Sequence, residues 1–173
     1  MTSRSKPKFP LTRILFILYC FFIVWTVLFK NAFSFREILE MTRTRSLNLI
    51  PFYYDCEISV RFHIQEVLSN AVLFFPFGVY RKMLNIPARK AILSGFLFSV
   101  VLELGQLLFA VGACDITDLI TNTAGTAAGV CLYVLLLKLL KNPEKLNKIF
   151  RILALTATIL LGLLLLMLYL ANY

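Results

Sequence analysis

Five stretches of this chain, residues 11–29, 64–80, 91–111, 116–137 and 152–170, are apolar over nearly enough length to cross a lipid bilayer. At about 1.5 Å of helical rise per residue, roughly 20 residues span the ~30 Å hydrocarbon core. The first, third and fifth runs are clear, whereas the second is shorter and carries Asn70 and Pro76 and the fourth opens on Asp118 and Asn122. Those polar groups would not survive facing lipid, yet neither run suits an aqueous loop. With 60% hydrophobic residues and a mean hydropathy of +0.81, a water-soluble fold would leave too much apolar surface uncovered. The expectation is all-α: one polytopic membrane helix bundle over residues 1–173, with about five transmembrane helices and no internal repeat.

Several classes fall away. A net charge of +9 invites a nucleic-acid reading, but the cations lie between apolar runs and form no single patch, so no nucleic-acid partner is expected. Cys20, Cys56, Cys114 and Cys131 have no paired or His-linked spacing, and a zinc site is not expected. Cys56 and Cys114 fall in two loops on one side and can either pair or stay as small unpaired residues. The first run has a basic flank like a secretory signal, but it is long for one. Lys30-Asn31-Ala32-Phe33 after it is no small-residue cleavage site, so an uncleaved first span is expected.

The loops give orientation. Segments 1–13, 81–90 and 138–151 hold 13 of the 18 basic residues and one acid, Glu144. These segments alternate correctly with five spans, and the positive-inside rule makes them cytoplasmic. The N-terminus is then inside and the C-terminus outside. In the long outer segment 30–63, Ser34-Phe35-Arg36-Glu37 has capping-box spacing and predicts a short interfacial helix carrying Phe35, Ile38 and Leu39. After it, residues 47–54 suit an extended or re-entrant piece whose Phe52, Tyr53 and Tyr54 rest at the interface.

The informative residues are polar ones inside the apolar runs. His63, Glu66 and Asn70 share one helix face, Glu103 and Gln106 are i, i+3 partners, and Asp118, Asn122, Gly125 and Gly129 make one stripe, with Asp115 just before it. Carboxylates within a membrane normally face a bundle interior and pair. Three helices each turning a polar face toward the outer half predict one outward-opening polar pocket, with Asn122 meeting Glu103 or Gln106. The same residues also serve as interhelical contacts or, for Asp115 and Asp118, as caps of the fourth helix. Gly125 and Gly129 form a GxxxG, read as close helix packing. No nucleophile elbow, zincin motif or P-loop is present.

At these residues the sequence resembles the VanZ-like family of membrane proteins, and within it the glycopeptide-resistance members. The resemblance rests on Arg45-Ser46-Leu47-Asn48-Leu49-Ile50-Pro51-Phe52, on Asn70-Ala71-Val72-Leu73-Phe74-Phe75-Pro76-Phe77-Gly78, and on Glu103-Leu104-Gly105-Gln106. The longest block is Gly112-Ala113-Cys114-Asp115-Ile116-Thr117-Asp118-Leu119-Ile120-Thr121-Asn122-Thr123-Ala124-Gly125. Asn48, in the first block, joins Glu66, Asn70, Glu103, Gln106, Asp115, Asp118 and Asn122 as candidate ligand-binding residues. Many relatives carry an Arg where this chain has Ala113 or Cys114, and Asp-Asp where it has Thr117-Asp118. The resemblance implies resistance to teicoplanin-type glycopeptides at the plasma membrane of a Gram-positive bacterium. Separately, no spacing among the candidate residues demands a metal or other cofactor, and none is expected.

Two mechanisms suit that implication. In the first, the pocket binds a lipid-linked cell-wall precursor or the drug and lowers drug engagement at the surface, without catalysis. In the alternative, Glu103 and Asp118 work as acid, base or metal ligands in a membrane enzyme that modifies an envelope lipid or peptidoglycan precursor. Membrane lipids are expected partners either way, and a transport role would call for a homo-oligomer.

Overall fold

The computed structural model describes residues 10–28, 44–53 and 60–171. The expected capping-box helix, Tyr54 and Cys56 lie outside them. Among the described residues the order is α1 (Pro10–Leu28), β1 (Thr44–Asn48), α2 (Val60–Met83), α3 (Ala88–Phe109), β2 (Val111–Asp115), α4 (Ile116–Leu140) and α5 (Pro143–Ala171). The all-α expectation holds, with one addition: β1 and β2 pair in parallel, Thr44 opposite Val111 through Asn48 opposite Asp115.

Four helices, α1, α3, α4 and α5, are long and apolar enough to cross a membrane. The fifth, α2, is the weak second run; it extends past the expected 64–80 at both ends and takes in Arg61, His63 and Glu66 at one end and Arg81 and Lys82 at the other. Its 24 residues reach about 36 Å, so length suffices, and its charged residues are confined to the ends. Pro76 lies inside it. The outward surface is oil: Leu160, Leu164 and Met167 of α5 are all exposed, and hydrocarbon is the solvent that tolerates such a face.

Local chemistry explains the helix ends. α5 begins at Pro143 rather than at residue 152, because the Asn142 side chain accepts from the Lys145 amide and Pro143 takes the first helical position. Helix α2 closes on Asn85 in the left-handed region (φ 60°), where the amides of Leu84, Asn85 and Ile86 bond back to Tyr80, Lys82 and Arg81. Ala110 and Lys141 end α3 and α4 in the same conformation.

The closest pairing is α2 with α4. A Cβ on Gly125 would collide with the Ala71 carbonyl, one on Gly129 with the Phe75 carbonyl, and one on Gly78 with the Thr126 carbonyl. The GxxxG reading is therefore correct, and Gly78 answers it from the facing helix. A second buried row runs along α3 through Ala91, Gly95, Ser99, Glu103 and Gln106, spaced mostly by four. Phe74, Phe77, Leu102 and Ile23 form one apolar core, and Leu15, Val79, Tyr80, Met83, Tyr133 and Leu146 form another nearer the basic end of the bundle.

Candidate polar junction beneath an apolar loop

The strand pair places the polar residues. Pairing β1 with β2 sets Asn48 opposite Asp115, and the Asn48 amide donates to Asp115 Oδ2 at 3.0 Å. Asp115 Oδ1 accepts from the Thr117 amide at 2.7 Å, which caps α4. The backbone amide of Asp115 donates to Glu103 Oε2 at 2.9 Å. One aspartate thus ties β1, α3 and the start of α4 together. Next to it, Asn70 of α2 donates to Asp118 Oδ1 at 2.6 Å. Asp115 and Asp118 are near enough to act electrostatically on Glu103, as Asp115 and Glu66 are on Asp118. The donors described on these three carboxylates are uncharged: the side chains of Asn48 and Asn70 and backbone amides.

Six of the eight candidate residues lie in or beside this network: Asn48, Asn70, Glu103, Asp115 and Asp118 in its bonds, and Glu66 exposed at its edge. The other two make their bonds elsewhere, Asn122 farther along α4 and Gln106 nearer the end of α3. Asn122 meets neither Glu103 nor Gln106: its amide donates to Ser99 Oγ at 2.9 Å, because Ser99 lies one helical turn from Glu103 on the same face of α3. Gln106 turns toward α1 and donates to the Val27 carbonyl at 3.3 Å. Gln106 Oε1 and Asn122 Oδ1 are buried without a hydrogen-bond partner among the described residues. Among the described residues no three His, Cys, Asp or Glu side chains cluster as metal ligands.

Two participants escaped the sequence reading. Ser99 was legible as the residue four before Glu103 in the buried row of α3. Thr117 is buried, and its hydroxyl accepts from the Phe52 amide at 2.9 Å. That bond fixes the loop above the junction. Asn48 Oδ1 also accepts from the Ile50 amide, and Tyr53 N–H donates to the Ile50 carbonyl. The loop so pinned exposes Leu47, Leu49, Ile50, Phe52 and Tyr53 together. Phe52 is held at φ 55°, a region that bulky side chains seldom adopt. Strain of about 1–3 kcal/mol persists only where surrounding bonds enforce it, and Thr117 supplies one.

Residues 16–139, which include the whole network, match the family model described as VanZ/LLP1. Over 144 residues the chain is 37% identical to Protein VanZ of Enterococcus faecium, an alignment covering 80% of this chain and 83% of that protein. No solved structure matches the chain. Both the stretch that builds the junction and the helices that carry it are shared, and the chain belongs to the VanZ family.

Proposed function

We propose that this chain is a multi-pass protein of the plasma membrane of a Gram-positive bacterium and confers resistance to teicoplanin-type lipoglycopeptides. It does so by binding, in the polar junction, a lipid-linked cell-wall precursor or the drug, and so lowers drug engagement at the cell surface. Membership of the VanZ family supports the resistance, and one observation carries the binding reading. A polar junction of Asn70, Glu103, Asp115 and Asp118 lies directly under an exposed apolar loop, and Asn48 and Thr117 join the two. An amphipathic ligand needs such a pairing, with its polar head at fixed hydrogen-bonding groups and its tail against apolar side chains.

The test is labelled-drug binding to cells with and without the protein, read beside the composition of extracted precursors. Cells carrying the chain bind less drug and contain no new precursor species. Glu103→Gln and Asp118→Asn restore drug binding and sensitivity while protein levels hold. Unchanged resistance in both variants removes the junction from the mechanism. A new precursor species that disappears in Glu103→Gln replaces binding with catalysis.

A further inference from the structure

One well-formed cavity lies far from the junction. A cleft of about 350 Å³ lies between α1, α2 and α5, lined by Tyr19, Pro76, Met83, Phe150, Ala154 and Leu161 among others. It is almost wholly apolar, and two of its three hydroxyls are spent internally: Tyr19 donates to the Leu73 carbonyl and Thr158 to the Ala154 carbonyl. Leu18 and Leu153, also in its wall, are exposed, so the cleft is not sealed from the surroundings.

Its length and its position select an occupant. From Phe150 to Leu161 the cleft runs about 16 Å along α5, close to half of the ~30 Å hydrocarbon core, which is the depth of one leaflet. Its Met83 and Phe150 end lies at the basic end of the bundle. There Arg81 stacks its guanidinium 5.9 Å from the Phe16 ring centroid, and Phe16 packs against Tyr80 of the cleft wall. Arg81 Nε is buried with no hydrogen-bond partner among the described residues. Arg151, half-buried, stands three residues before Ala154 and seven before Thr158, on the cleft side of α5. Lys148 and Lys145 follow on the same helix end, with Glu144 the one acid in segment 138–151.

The geometry points to an anionic phospholipid as the occupant, one acyl chain in the cleft and its phosphate between Arg81 and Arg151. Basic pockets between membrane helices hold anionic headgroups in this manner, and each cation near the surface favours the anionic lipid about fivefold. A second copy of the chain in the same orientation fits less well, because it brings a further set of cations to the same mouth.

Electron spin resonance on the full chain in phosphatidylcholine vesicles tests this, with trace spin-labelled phosphatidylglycerol or phosphatidylcholine as probe. The motionally restricted fraction favours phosphatidylglycerol by about fivefold or more. Arg81→Gln with Arg151→Gln, both at the rim, brings that preference close to unity and leaves helix content unchanged. Ala157→Phe fills the cleft and lowers the restricted fraction for both probes. Equal restriction of the two probes by the unmodified chain overturns the proposal, as does a preference that survives the double Arg variant. Cross-linking between copies through Leu161→Cys at high lipid-to-protein ratio gives the cleft to a second copy and overturns it too.

Discussion

Asp115 shows how much one residue organises. Its two carboxylate oxygens take Asn48 and the Thr117 amide, and its own amide reaches Glu103. Cys114 beside it reports on that surrounding. Burial, then the charges of Glu103, Asp115 and Asp118, push its thiol above the ordinary cysteine range. A raised pKa means less thiolate at neutral pH, and the thiolate is the nucleophile. In a variant keeping only this cysteine, maleimide labelling at pH 7 is slower than that of a free cysteine peptide. The pH profile moves to higher pH, and Glu103→Gln moves it part of the way back. Labelling as fast as the peptide contradicts the electrostatics described. Cys114 is unpaired among the described residues. The Ser99–Asn122 bond permits a second test. Because Asn122 Oδ1 lacks a partner, the pair contributes little net: a cycle of Ser99→Ala and Asn122→Ala gives a coupling of about 0.6 kcal/mol in denaturation. A coupling above about 2 kcal/mol implies a larger polar network than the one described.

Among the elements, α2 is decisive. It carries Asn70 to Asp118 and packs closely on α4 through backbone approaches at Gly78, Gly125 and Gly129. Gly129→Leu forces the helices apart against the Phe75 carbonyl and destabilises the fold by about 1–3 kcal/mol or more, measured by denaturation in mixed micelles. Gly162→Leu on α5, where nothing lies within 4 Å, leaves stability unchanged and serves as control. A loss equal to that control shows that the α2–α4 approach is looser than described. Several features at this scale were readable beforehand: the GxxxG stripe and the five helices. Others were not. The piece expected to be extended or re-entrant over 47–54 is instead the end of a strand, Thr44–Asn48, followed by a turn at 50–52. The early start of α5 was encoded in Asn142 and Pro143, but the cationic run behind them resembled a loop. The parallel strand pair joins residues 67 positions apart, and no local pattern announces such a partner.

For the whole molecule, Arg81, Lys82, Arg89, Lys90 and the cations of 138–151 collect at one end of the bundle, and the carboxylate junction lies at the other with Arg45 and Arg61. The expected outcome is that the basic end faces the cytoplasm. A C-terminal alkaline phosphatase fusion is then active in a host that needs export for activity, and a C-terminal green fluorescent fusion stays dark. The reverse result turns the molecule over and places the junction on the cytoplasmic side, where a surface-acting drug does not reach it.

Composition and hydrophobic run length alone determined that this chain is a helical membrane protein, because hydrocarbon admits only backbones that satisfy their own hydrogen bonds. Periodicity also marked which faces carry the polar groups. What each polar group meets was decided only by tertiary structure. Asn122 went to Ser99, Gln106 to the Val27 carbonyl and Asp115 to three elements at once, since a one-dimensional pattern fixes the face of a helix but not its neighbour's height or rotation. The cleft is of the same kind: each of its residues is an ordinary apolar side chain, and it exists because α1 and α5 stand apart beside α2.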